Sequence, residues 1–172
     1  MTVYQPREDS ELLAKAVLEM DVSSDDRCLD MGTGTGFIAS KMIDSGAGEV
    51  VAVDVNPEAI EEASENLEGH ENVDVRESDL FENVEGVFDL IAFNPPYLPG
   101  DDEDVDDEGM WVGGDTGEEL TEEFLDEASD FLAEGGVVIF VVSSTSDFDV
   151  DGYEIVDTEK LWFEDLYVLK SE

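Results

Sequence analysis

The chain has 172 residues, with 48 Asp plus Glu against seven Lys plus Arg and a formal net charge of −41. Its 41% hydrophobic content is enough for a sizeable core, which excludes a disordered chain despite the charge. The longest apolar run, residues 137–142, is far short of the roughly 20 residues of a membrane span, and a single Cys excludes an internal disulfide framework or a multi-Cys metal site on this chain alone.

In chain order, the first predicted element is a helix over 10–20, with Leu12, Leu13, Ala16, Val17 and Met20 on one face and Asp9 or Ser10 as cap. A short strand, 27–31, runs into the glycine cluster Gly32, Gly34 and Gly36, where a helix begins that ends near Gly46. Strand 50–54, helix 57–67 with Pro57 in its first turn, and strand 73–76 follow. Strand 88–93 is apolar throughout except Asp89, as expected of one buried on both faces. After an acidic loop, 100–115, the capping-box pair Thr116 and Glu119 opens a helix to Phe131, and strand 137–142 completes the parallel set. Residues 143–150 are too few for a crossover helix, and 153–160 with 163–169 read as a closing antiparallel pair. Strands alternating with helices and ending antiparallel make an α/β doubly wound sheet. No repeat or linker divides the chain, and residues 1–6 carry neither a basic stretch nor an apolar core of a secretory signal. The expectation is one soluble, intracellular domain over 1–172, with an N-terminal segment and helix (1–22) ahead of a Rossmann-like core (23–172).

The acidic residues are spread along the chain rather than gathered in a tail, and lysine occurs only at 15, 41, 160 and 170. That substitution of acid for lysine suits a salt-rich environment, where a Debye length of about 3 Å at molar salt screens self-repulsion. Nucleic-acid binding is disfavoured, because phosphate contacts need Lys and Arg and no basic cluster exists.

A strand, a glycine turn and a helix form a corner that can hold a nucleoside or phosphate. The dinucleotide pattern G-x-G-x-x-G fails here, since position 37 is Phe37, and no P-loop pattern is present. What stands is Asp30-Met31-Gly32-Thr33-Gly34-Thr35-Gly36, D-x-G-x-G-x-G, in which an acid at the strand's end suits a cationic ligand group and would repel a pyrophosphate. Asp54, at the end of the second strand, stands where a carboxylate can bind both hydroxyls of a ribose. Read singly, Asp30 suits a helix cap and Asp54 a turn. Jointly, on consecutive strands, they describe a site for a nucleoside joined to an ammonium-bearing tail, and S-adenosylmethionine fits it. Asp79 and Leu80, after the third strand, could meet the adenine through a carboxylate and a backbone N–H, though Asp79 equally suits an Asx turn. Cys28 reads as a small core residue and His70 as part of a solvent loop.

The most specific segment is Asn94-Pro95-Pro96-Tyr97, at the end of the fourth strand. Proline fixes its own φ and pushes the preceding residue into extended geometry. Two in succession hold the Asn94 side chain and the Pro95 carbonyl rigidly, as two acceptors for one NH₂ group. An amide or aromatic amine is a poor nucleophile because its lone pair is delocalised. Acceptors on both hydrogens aim that lone pair, so catalysis would come from positioning and electrostatics without a metal. Tyr97 offers a ring against which a planar amide or base can lie.

On these residues the sequence resembles the class I methyltransferases, and within them the HemK-type glutamine methyltransferases that modify translation release factors. Tyr4-x-Pro6-x-Glu8-Asp9 before the first helix, and Trp111-Val112-Gly113-Gly114 with Gly117, are similar to the short archaeal and eukaryotic branch. The resemblance implies a Rossmann-like fold: a mostly parallel seven-stranded sheet with an antiparallel final strand and helices on both faces. It implies S-adenosyl-L-methionine as cofactor, with Tyr4 and Val55 among its contacts beside those above, and methylation of the glutamine amide in a release factor's Gly-Gly-Gln tripeptide. It also implies a small zinc-binding activator subunit that adds a strand to the sheet, for which strand 73–76 is the candidate edge. Segment 143–150 departs from the family in being short, and the N-terminal helical domain of bacterial relatives is expected to be absent. The alternatives are an adenine-N6 methyltransferase acting on DNA or RNA, a protein lysine methyltransferase, and a noncatalytic relic of the fold.

Overall fold

The computed structural model describes residues 3–96 and 118–171. Seven strands form one sheet in the order β3-β2-β1-β4-β5-β7-β6: β1 (Arg27–Met31), β2 (Glu49–Asp54), β3 (Val73–Glu77), β4 (Phe88–Phe93), β5 (Leu132–Ser143), β6 (Glu154–Lys160) and β7 (Asp165–Ser171). The first five run parallel, and β7 alone is reversed, antiparallel to both β5 and β6. The sheet is therefore mostly parallel with an antiparallel final strand, as the sequence pattern predicts. The reversal of strand order between β1 and β4 opens a crevice at the carboxyl ends of these strands, where such sheets bind ligands.

Alternation along the strands divides the core in two. Cys28, Val50, Ala52, Leu90, Ala92, Ile139 and Val141 point to the face covered by α1 (Glu8–Glu19) and α2 (Phe37–Asp44), through Leu13, Ala16, Val17, Ala39 and Met42. Leu29, Met31, Val51, Val53, Ile91, Phe93 and Phe140 point to the other face, under α4 (Glu119–Ala128) and residues 80–84. β4 is buried on both sides, which is why it reads as a near-continuous apolar run, and β1 is buried as fully although Arg27 and Asp30 interrupt its apolar residues. α3 (Pro57–Asn66) begins on Asn56, whose side chain accepts from the Glu58 N–H at 3.0 Å, with Pro57 at its first position.

The structure and the sequence reading differ at several boundaries, among them β7, which runs Asp165–Ser171 rather than 163–169 and leaves Phe163 in the turn before it. α1 starts at Glu8 with Arg7 at its cap position and no side-chain cap, so Asp9 and Ser10 lie inside the helix, 4% and 6% exposed. β5 starts at Leu132 rather than 137, because a register shift opposite Phe88 and Leu90 lets the chain join the sheet through two glycines of low strand propensity, Gly135 and Gly136. α4 ends at Ala128, and its last predicted turn, Ser129–Phe131, is a 3₁₀ turn. Glu118 holds the cap position of α4, whereas Thr116, Tyr97, the acidic loop and the Trp111–Gly117 segment lie outside the described residues. β5 and β6 are joined without a helix, as the short 143–150 segment requires. Among the described residues no helix is long and apolar enough to cross a membrane.

Candidate active site

Strand register brings the candidate residues into one row. Met31 pairs with Val53 of β2 and with Phe93 of β4, so the next residues, Gly32, Asp54 and Asn94, stand side by side at the carboxyl edge. At about 4.8 Å per strand, Asp54 and Asn94 are separated by roughly 10 Å. The Phe93 ring confirms the closeness, since a Cβ on Gly32 would lie 3.3 Å from it.

The glycine turn is held from beneath and from the side. Gly32, Gly34 and Gly36 all have positive φ, at 65°, 55° and 82°. The Thr33 N–H donates to the Val53 carbonyl at 2.8 Å, and the Gly34 N–H donates to Asp54 Oδ2 at 2.9 Å. Asp54 Oδ1 accepts from the Asn56 N–H at 2.9 Å. A carboxylate has about four acceptor positions, and the N–H groups of Gly34, Asn56 and Val55 take three of them, so Asp54 retains capacity for one further hydroxyl. Burial pushes its carboxyl above the usual range, and the backbone N–H bonds oppose that. Val55 follows it, half-buried.

Asp30 is 2% exposed, beneath the turn. Its Oδ2 accepts from the Thr33 hydroxyl at 2.6 Å and from the Ala39 N–H in the first turn of α2 at 2.9 Å. Burial pushes its carboxyl up to about 7, against these two hydrogen bonds and with a smaller upward push from Asp54. The helix-capping role open to Asp30 in the sequence is thus present in the structure, and its charge sits under the cradle rather than in it.

The N-terminal segment crosses this edge. A Cβ on Gly34 would lie 3.5 Å from the Tyr4 carbonyl oxygen, so the Tyr4 backbone lies over the turn, and the Tyr4 hydroxyl donates to Asp9 Oδ2 at 2.9 Å. Burial and the Asp9 charge push that phenol well above its ordinary value. Further along the segment, Ser10 Oγ accepts from Asn94 Nδ2 at 3.3 Å. Asn94 Oδ1 is buried and finds no hydrogen-bond partner among the described residues. An unpaired buried acceptor costs about 1–3 kcal/mol, which is the expected mark of a group whose donor arrives with a ligand. Pro95 is buried and Pro96 half-buried behind it, and the α4 side chain Phe124 packs on Phe93 at 4.5 Å between ring centroids, bracing the strand's end.

On the other flank, the Ser78 N–H donates to the Asp54 carbonyl at 2.9 Å, which brings the turn after β3 to the same crevice. Asp79 is exposed there. Leu80 is buried with φ 42°, a left-handed conformation that a branched side chain rarely adopts. The Ser78 hydroxyl donates to the Leu80 carbonyl at 2.8 Å and holds that turn.

The structure thus gathers Tyr4, Asp30, Gly32, Gly34, Gly36, Asp54, Val55, Asp79, Leu80, Asn94, Pro95 and Pro96 around one edge. Cys28 stays in the core, where burial pushes its thiol up to about 12, and His70 is exposed on a loop. Sequence reasoning missed Ser10 and Thr33 as supports. Ser10 carried only a capping signal, and Thr33 lay inside a motif read for its glycines. The orphan oxygen, the carboxylate beside a glycine cradle and the acid beneath it fit a nucleoside with an ammonium-bearing tail.

A family model described as methyltransferase small domain matches residues 8–150. A protein of Methanocaldococcus jannaschii named "Putative protein N5-glutamine methyltransferase" is 44% identical over 146 residues, covering 83% of this chain and 73% of that protein. The release factor glutamine methyltransferase of Haemophilus influenzae is 32% identical over 157 residues, covering 78% of this chain and 54% of that protein. The chain therefore spans about half the length of that bacterial relative. In fold, the chain is similar to the 16S rRNA N2 G1207 methyltransferase of T. thermophilus, solved with AdoMet and guanosine, with a TM-score of 0.75 at 22% identity, over 98% of this chain and 43% of that one.

Proposed function

The chain belongs to the methyltransferase small-domain family, and from that premise we propose that it is an S-adenosyl-L-methionine-dependent enzyme that methylates the side-chain amide of a glutamine in the Gly-Gly-Gln segment of a translation release factor. The observation that carries the reading is the buried, unpartnered Asn94 Oδ1 standing in one row with the glycine turn and Asp54.

The bound donor supplies an electrophilic methyl group on a sulfonium. Asp54 would hold a ribose hydroxyl through the acceptor position that the Gly34, Asn56 and Val55 N–H groups leave free. Gly32, Gly34 and Gly36, all at positive φ, shape the turn that would receive the ligand, and the Tyr4 backbone lies over it. Asp30 provides negative charge beneath the ammonium group, while Val55, Asp79 and Leu80 edge the nucleoside. Asn94 Oδ1 and the Pro95 carbonyl accept from the two N–H bonds of the glutamine amide. Held so, the nitrogen cannot rotate, and its lone pair is aimed at the methyl carbon. Asn94 is fixed in turn by donating to Ser10, so its oxygen is turned away from the helix. Tyr97, which lies outside the described residues, is proposed as the ring against which the planar amide rests. Transfer would break the methyl C–S bond of the sulfonium as the C–N bond forms, leaving a neutral thioether, and the nitrogen would release one proton to solvent.

The M. jannaschii and H. influenzae relatives support the choice of amide over adenine or lysine, as does a net charge of −41, which disfavours a nucleic-acid substrate. We assign a small zinc-binding activator to the outer edge of β3, the terminal strand of the sheet, whose Val73 and Val75 are only partly buried. Incubation of the chain, with and without that subunit, with labelled donor and a release factor should label the Gly-Gly-Gln glutamine, located by mass spectrometry. Label found in nucleic acid instead, or in lysine, would replace this reading with one of its alternatives.

A further inference from the structure

The most exposed apolar feature among the described residues lies away from the donor site. Trp162 is 94% exposed and Phe163 57%, their rings in edge contact at 5.0 Å between centroids. Tryptophan is among the side chains that gain most from burial, so a pair held out at the tip of a hairpin calls for a partner.

The tip is built to stay in place. The Leu161 N–H donates to the Glu164 carbonyl at 2.8 Å and closes the turn between β6 and β7. The Ser143 hydroxyl donates to the Glu164 carboxylate, the Ser144 N–H to the Asp165 carbonyl at 2.8 Å, and the Asp165 N–H to Ser144 Oγ at 2.9 Å. Three bonds thus fasten the turn to the carboxyl end of β5, and a pre-organised tip loses little freedom on binding.

Register then places it relative to the chemistry. Phe140 pairs with Phe93, so Ser143 stands level with Pro96, and Leu166 lies opposite Ser143. The tip rises beyond that level by about 10 Å, and β7 and β6 lie two and three strands from β4, about 10 and 14 Å away. Trp162 and Phe163 therefore overlook the same edge that carries Asn94, within reach of about six extended residues. A protein that delivers a glutamine to Asn94 must lie across this edge. Around the aromatic pair stand Glu159, Glu164 and Asp165, with Lys160 the single cation in that turn.

We propose that Trp162 and Phe163 are a docking point for the protein substrate, seated in an apolar cleft of that protein edged by Lys or Arg. The proposal rests on the amide-methylation reading above. Apolar burial gives the contact its energy, and the acidic collar and the charge of −41 select a basic rim.

The test compares wild type with Trp162→Ala/Phe163→Ala on two substrates, a folded release factor and a short peptide containing Gly-Gly-Gln. Both side chains are exposed, so donor affinity measured by calorimetry is expected to stay unchanged and serves as the control for folding. With the folded protein, kcat/KM is expected to fall about 10-fold or more, chiefly through KM, while the peptide reacts equally with both enzymes. Equal kcat/KM on the folded protein would overturn the proposal, as would an equal loss on protein and peptide. A wild-type dimer that the substitutions make monomeric, with methylation unchanged, would assign the tip to a second copy of the chain and likewise overturn it. If wild type methylates neither substrate, the amide reading itself fails and takes this proposal with it.

Discussion

Asparagine at position 94 supplies an acceptor without a charge. A carboxylate there would add to an edge already carrying Asp54 and would bind a cationic donor as readily as it held a substrate N–H. On the proposed reading Asn94 acts on the nitrogen rather than the donor, so Asn94→Ala is expected to lower kcat about 100-fold with donor affinity little changed. Asp54→Ala should do the reverse, weakening donor binding most; calorimetry with steady-state kinetics separates the two. Asp30 governs the pH response. Its carboxyl rises from 3.8 unfolded to about 7 folded, so between these values the native state holds a proton that the unfolded state has released. Its contribution to stability is therefore present below about 4 and lost as pH rises through 7. Asp30→Asn should flatten this part of the stability profile, measured by denaturant unfolding at pH 5 and pH 8. A cationic ligand needs the ionised form, so donor affinity should weaken as pH falls below about 7 in wild type and lose that dependence in Asp30→Asn. A wild-type affinity unchanged between pH 6 and 8 would remove Asp30 from the site.

Among the elements, the glycine turn is the joint between sheet and helix and, on the proposed reading, the cradle of the ligand, and its glycines are not equivalent. At Gly34 an added Cβ would meet the Tyr4 carbonyl at an ordinary 3.5 Å, leaving only the conformational cost of φ 55°, about 1 kcal/mol. At Gly36, with φ 82°, it would lie 3.0 Å from Leu67 Cδ1 and 3.3 Å from Ala63 Cβ, so Leu67 and the Ala63 face of α3 would have to give by a few tenths of an ångström. Gly36→Ala is therefore expected to cost about 2–3 kcal/mol, and more than Gly34→Ala, in thermal or denaturant unfolding. The reverse order would show that α3 yields easily. β1 and β4 were legible to the residue because the glycine cluster from Gly32 ends the one and Asn94-Pro95-Pro96 ends the apolar run of the other. The start of α1 was not, because Asp9 and Ser10 look like caps but serve Tyr4 and Asn94 instead. Local pattern carries no sign of a contact spanning 84 residues.

For the molecule as a whole, charge sets the conditions under which this fold holds. Forty-eight acids against seven bases repel at any separation within a Debye length, about 10 Å at 0.1 M salt and 3 Å at 1 M. The melting temperature is expected to rise as KCl increases from 0.1 M to 2 M, most steeply at the low end; a melting temperature that stayed flat would mean the charges are spaced widely enough to ignore. The described ion pairs, such as Lys15 with Asp157 between α1 and β6, are exposed and offset little of this repulsion. By itself the sequence determined the alternation of strands and helices, the doubly wound class, the glycine turn and the rigid Asn-Pro-Pro unit, because each is written in periodicity or in the stereochemistry of Gly and Pro. Tertiary structure alone decided that Gly32, Asp54 and Asn94 share a row, that Ser10 turns the Asn94 amide, that Asp30 lies beneath the turn, and that Trp162 and Phe163 rise beside the same edge. These depend on strand register and chain crossing, which arise from packing between segments far apart in the chain.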